Sequence, residues 1–181
     1  MNLAEIYAEL GHWSIAQGSD KGALHSYIDY YEAVLAPYRN KRCLTLLEIG
    51  VATGASLLLW KRYFDDAVVI GVDIDLSQLW PNVVQPGIWV FHGDATDESI
   101  LRMLPGKHDI IIDDGSHDWR HQARSFWLLS SRVKPGGLYV IEDVASDVAM
   151  TNLLREIPSG KDIDLRHVKG RYDDRLLQVN F

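Results

Sequence analysis

Apolar residues arrive in short blocks along this chain, separated by stretches with helical spacing. Five blocks are rich in β-branched and aromatic residues and predict strands: "CLTLLEIGV" (43–51), "AVVIGVDI" (67–74), "GIWVFHG" (87–93), "HDIIIDD" (108–114) and "GGLYVIEDV" (136–144). Their apolarity is nearly continuous rather than alternating, which marks strands buried on both faces, as in a parallel sheet. Between them, "ASLLLWKRYF", "LSQLWPN", "TDESILRMLPG" and "DWRHQARSFWLLSSRV" carry helical spacing or helix-start signals. "SDVAMTNLLREI" predicts one more helix, and "DIDLRHVKG-RYDD-RLLQVNF" reads as two strands joined by a tight turn.

Strand–helix alternation implies right-handed βαβ units, and so an α/β fold built on a doubly wound, mostly parallel sheet. With the C-terminal antiparallel pair the sheet has seven strands, and residues 1–40 form a helical N-terminal extension or lid. No repeat or linker divides residues 1–181, so one domain is expected, with residues 43–181 as its core. At 181 residues and 47% apolar composition the chain can bury such a core.

Charge and targeting signals narrow the partners. A net charge of −7 without any basic run gives no footprint for nucleic acid. The single cysteine, Cys43, rules out an internal disulfide framework and suits a reducing compartment. "MNLAEIYAELGHW" lacks the layout of a secretion signal, and no apolar run reaches membrane-spanning length, so a cytoplasmic protein with no membrane partner is expected. Self-association is left open by the sequence.

Ligands of open α/β sheets bind beyond the carboxyl ends of the strands, and here those ends are acidic. The first ends "LLEIGVATGAS", placing Glu48, Gly50 and Gly54 before a helix N-terminus. The second ends at Asp73, where a carboxylate can accept both hydroxyls of a ribose. The third ends at Asp94 in "HGDATD", suited to an exocyclic amine. A nicotinamide dinucleotide would require G-x-G-x-x-G for its pyrophosphate. This chain has Ala52 at the middle glycine, and Glu48 would repel the phosphates. A ligand with a cationic aminoacyl end suits Glu48 better, and S-adenosylmethionine satisfies all three acids.

The motifs "LLEIGVATG", "GVDID", "HGDATD", "IIIDDGSH" and "VKPGGLYVIEDV" together resemble class I S-adenosylmethionine-dependent methyltransferases, with their Rossmann-like fold. "GSDKGALHSYIDYYEAVLAPYR", with "DDGSH" and "IEDV", is similar more narrowly to the metal-dependent sugar O-methyltransferases of macrolide and related natural-product pathways. The resemblance implies a small-molecule hydroxyl acceptor, such as a sugar or other vicinal diol. It also implies Asp114, Glu142 and Asp143 as ligands of Mg²⁺ or Mn²⁺ and His117 as general base, while Asp113, at the same strand end, is expected to face the cofactor or to cap the following helix. Such chemistry needs a cation, since a neutral alcohol is a poor nucleophile until its proton is acidified and removed. His117 and His121 stand four residues apart, but no further nitrogen or sulfur ligand in the motif suggests zinc. A metal-free methyltransferase and a non-catalytic cofactor-binding partner protein remain the alternatives.

Overall fold

The computed structural model describes residues 1–10 and 19–181. Part of the N-terminal extension expected over 1–40, including Gly18 of "GSDKG", lies outside the described residues. The strands are β1 (Leu44–Ile49), β2 (Ala67–Asp73), β3 (Ile88–His92), β4 (His108–Asp113), β5 (Val133–Ile141), β6 (Lys161–Asp164) and β7 (Arg175–Asn180). They form one seven-stranded sheet in the order β3-β2-β1-β4-β5-β7-β6. β1 to β5 run parallel, while β7 is antiparallel to both β5 and β6. This is the Rossmann-like arrangement expected from the strand–helix alternation.

The helices are α1 (Leu3–Glu9), α2 (Tyr27–Leu35), α3 (Ala55–Tyr63), α4 (Ile100–Met103), α5 (Trp119–Leu129), α6 (Asp147–Glu156) and α7 (Arg166–Lys169). Side chains alternate across each strand, so the isoleucines of β4 divide between two cores. Ile110 and Ile112 join Leu46, Val69 and Val140 under α1, α2 and α3, where Tyr31 and Trp60 fill the space. Ile111 joins Leu47, Ile70 and Tyr139 under α5 and α6, against Phe126 and Leu153. All three isoleucines are fully buried, and each contributes roughly 1.5–3 kcal/mol by leaving water.

Helix ends follow local chemistry. Asn2 and Glu5 form a reciprocal capping box on α1, Asp118 accepts from the Arg120 amide to start α5, and Ser146 caps α6.

The structure corrects several boundaries. "LSQLWPN" makes only a 3-10 turn at Pro81–Val83, and "TDESILRMLPG" only the single turn α4. The C-terminal strands are not joined by a tight turn. β6 stops at Asp164, whose side chain accepts from the Arg166 amide and pairs with its guanidinium, so the chain turns into α7. Gly170, at φ +75°, ends that helix. β1 ends at Ile49 and β5 at Ile141, short of the expected 51 and 144. Glu142 and Asp143 therefore lie just past a strand, free to adopt other backbone geometry.

Candidate active site

Beyond the carboxyl ends of β1, β2, β3 and β4 lies a cavity of about 620 Å³. Gly50, Asp73, Asp94, Asp113, Asp114 and His117 are on its wall. Expected residues from four separate strands thus meet in one place, as the parallel topology requires. Asp73 fixes the first turn: its Oδ2 accepts from the amides of Val51 (2.7 Å) and Ala52 (3.0 Å). Asp94 Oδ1 accepts from the Thr96 amide and hydroxyl, at 2.8 and 2.7 Å, and the residue is exposed to the cavity. Asp113 is buried; burial pushes its carboxyl up to about 7, against the pull of the Gly115 amide.

The two glycines of the first turn are placed differently, with Gly50 on the cavity wall. Gly50 has φ +79°, and a Cβ there would stand 2.0 Å from the Asp114 carbonyl oxygen. Its bareness lets β1 and β4 close on each other. Gly54, at φ +81°, is not on the cavity wall and packs against Leu79 and Val83. Ala52, at the place of the missing middle glycine, takes φ +43° regardless.

Glu48 also departs from its expected role facing the cofactor. It is fully buried, off the cavity wall, and accepts from the Ser56 hydroxyl at 2.7 Å. Its other oxygen faces Lys21, which lies in the "GSDKG" stretch of the N-terminal extension but was not expected as a site residue. The Lys21 ammonium is buried 2.8 Å from Asp114 Oδ2, 2.7 and 2.8 Å from the two Glu142 oxygens, and 3.4 Å from Glu48 Oε1. Burial alone would lower its pKa, but Asp114, Glu142 and Glu48 overcome that and hold it well above the ordinary lysine value. Tyr31 donates to the same Glu142 carboxylate.

Asp143 turns the other way. It accepts from the Tyr27 hydroxyl at 2.5 Å, and its Oδ2 lies 3.9 Å from His117 Nε2. Burial, with the charge of Asp114, pushes Asp143 up to about 8. Both His117 (φ +56°) and Asp143 (φ +55°) hold the left-handed backbone that non-glycine residues avoid, at a cost of roughly 1–3 kcal/mol each. Such strain recurs where side-chain aim matters more than stability.

The expected trio Asp114, Glu142 and Asp143 does not form one compact group among the described residues. Instead Asp114 is shared by two: Glu48–Asp114–Glu142 and Asp114–His117–Asp143. The donors are mostly carboxylate oxygens, so the chemistry fits a hard divalent cation. The cavity with Asp73 and Asp94 on its wall likewise fits a nucleoside-sized ligand.

Comparisons with known proteins agree with this geometry. A family profile described as a methyltransferase domain matches residues 47–144. The 8-demethyl-8-alpha-L-rhamnosyl tetracenomycin-C 2'-O-methyltransferase of Streptomyces olivaceus is 42% identical over 142 residues, 72% of this chain and 36% of that protein. The mycinamicin VI 2''-O-methyltransferase of Micromonospora griseorubida is 39% identical over 134 residues, 68% of this chain and 32% of that protein. The chain thus spans about a third of the length of these curated relatives (36% and 32%). The structure of MycE methyltransferase from the mycinamycin biosynthetic pathway, in complex with Mg and SAH, aligns at 33% identity and TM-score 0.64, covering 79% of this chain and 36% of that one. Its crystal form 1 aligns at 25% identity and TM-score 0.71, covering 99% and 55%. From its sheet order, its strand-end cavity and the profile match over residues 47–144, the chain belongs to the methyltransferase domain family.

Proposed function

We propose that the chain transfers a methyl group from S-adenosylmethionine to a hydroxyl of a small glycosylated molecule, using a divalent cation. The observation that carries this reading is the cavity of about 620 Å³ with Asp73 and Asp94 at one end and Asp114 and His117 at the other. The names of the relatives point to a sugar hydroxyl as acceptor. In this reading Asp73 accepts from the ribose hydroxyls, Asp94 from the adenine amine, and Gly50 and Asp113 line the donor's path. Residues 1–181 act as one domain, and the exposed free thiol of Cys43 suits a reducing, cytoplasmic setting. Among the described residues, no helix is long and apolar enough to cross a membrane.

Asp114, Glu142 and Asp143 would hold Mg²⁺ or Mn²⁺, which when bound acidifies and orients a coordinated hydroxyl. His117 accepts the departing proton on its imidazole ring, whose Nε2 lies 3.9 Å from Asp143 Oδ2. Asp143 then stabilises the imidazolium. The methyl group is displaced in line from the sulfonium, so the enzyme's remaining task is to align two bound partners.

The test is methyl transfer from isotope-labelled donor to a panel of deoxysugar-bearing natural products. Transfer to oxygen, abolished by chelator while S-adenosylhomocysteine binding survives, is the expected result. Full activity in excess chelator would remove the metal from the reading, and transfer to nitrogen or carbon alone would remove the hydroxyl acceptor.

A further inference from the structure

Lys21 has no step in the transfer described above, yet its ammonium lies wholly inside the acidic edge. A lone buried ammonium is costly, and so would be the two buried carboxylates of Glu48 and Glu142 without a cation beside them. The segment that delivers it is pinned on several sides. The Tyr7 hydroxyl donates to the Ser19 carbonyl, the Tyr27 amide donates to the Lys21 carbonyl, and the Lys169 ammonium donates to the carbonyls of Gly22 and His25. Ser19 and Asp20, immediately before it, are on the cavity wall.

Two groups of potential ligand atoms share Asp114, an inner one from Glu48, Asp114 and Glu142 and an outer one from Asp114, His117 and Asp143, while a third, from His25, Asp143 and Asp173, meets the outer one at Asp143; within each the atoms lie within 4.8 Å of one another. Each group is compact enough for one cation. The inner group already surrounds the Lys21 nitrogen. Glu48 Oε1, also buried, is paired with the same ammonium from 3.4 Å. The outer group contains the more accessible side chains, His117 and Asp114, which line the cavity.

We propose that this edge is a two-cation centre: the Lys21 ammonium permanently fills the inner position and holds Asp114, which belongs to both groups, in place for a divalent cation on the outer side. A carboxylate offers about four lone-pair sites, so Asp114 can serve both cations at once. Lys21 is a positioning residue, acting through Asp114 rather than on the substrate. The inference rests on the metal dependence proposed above.

Mn²⁺ is the probe, titrated into the full chain and counted by electron paramagnetic resonance. Lys21→Ala empties the inner position, so the variant should bind one Mn²⁺ more per chain than the wild type. A folded variant that binds no additional ion overturns the proposal, because a lysine serving only to stabilise the fold leaves no cation site behind. If the variant does not fold, the wild type decides. Lys21 should resist reductive methylation, read by peptide mass spectrometry, both in chelator and at saturating Mn²⁺. Labelling that appears as Mn²⁺ binds would mean that the two cations compete for one position, and the two-cation centre would be wrong. Mn²⁺ bound by neither protein defeats the metal dependence as well. Mn²⁺ bound by the wild type, with none added in the variant, defeats only the inner site.

Discussion

Two histidines show how differently one side-chain type is used at the opposite ends of β4 and its following turn. His117 projects from a left-handed backbone toward Asp143, exposed to the cavity, whereas His108 is buried with neither ring nitrogen hydrogen-bonded among the described residues. His117→Ala should lower kcat by about 10²–10⁴-fold, the usual cost of losing a general base, with the Kd for S-adenosylhomocysteine unchanged. His117→Gly should be equally slow but more stable by about 1 kcal/mol in chemical denaturation, since glycine tolerates φ +56°. A near-normal rate in either variant would demote His117 to a turn residue. For His108, burial, with Lys134 and Arg132 nearby, pushes the imidazole down from 6.5 to about 4. Its unfolded form therefore binds a proton that the native form refuses across that window. Stability is complete above about pH 6.5 and is lost as pH falls toward 4, by up to about 3 kcal/mol. His108→Phe should flatten this part of the stability–pH curve in urea titrations; an unchanged slope would place the effect elsewhere. The strand-end acids were legible because their position follows from the apolar run before them. Lys21 was not, because its partners Asp114 and Glu142 are 93 and 121 residues away. Only the fold brings that lysine to them.

At the scale of elements, the parallel strands were readable from apolarity alone, since both faces of the sheet are covered. The failures came where a polar side chain competes for the backbone. Asp164 captures Arg166 and converts an expected strand into α7, and no periodicity announces that exchange. A strand end was overrun at β5 because Val144 resumes the apolar run after Glu142 and Asp143, but Asp143 leaves the extended region at φ +55°. The turn after β1 illustrates a glycine needed by packing. Gly50→Ala combines a left-handed φ with a Cβ 2.0 Å from the Asp114 carbonyl oxygen, and the backbone must move. The substitution should cost about 2–4 kcal/mol in denaturant titrations and shift Asp114 with it, weakening metal binding. A fully stable Gly50→Ala variant would show that β1 and β4 are not held that closely.

For the molecule as a whole, the N-terminal helices do more than cover the sheet. Through Lys21, Tyr27 and Tyr31, residues preceding the first strand reach the same carboxylates as the turns after β4 and β5. The strand-end cavity and the acidic edge are thereby joined by one short segment, Ser19 to Lys21, that contributes to both. The central claim is that donor and cation occupy adjacent positions at the carboxyl edge of this sheet. It is tested most directly by anomalous diffraction from crystals grown with S-adenosylhomocysteine and Mn²⁺. The account predicts a manganese peak bound by Asp114 and Asp143, with the nucleoside's ribose on Asp73 and its adenine beside Asp94. Nucleoside density elsewhere in the molecule, or a cavity that stays empty at saturating ligand while the manganese peak falls away from Asp114, would contradict it.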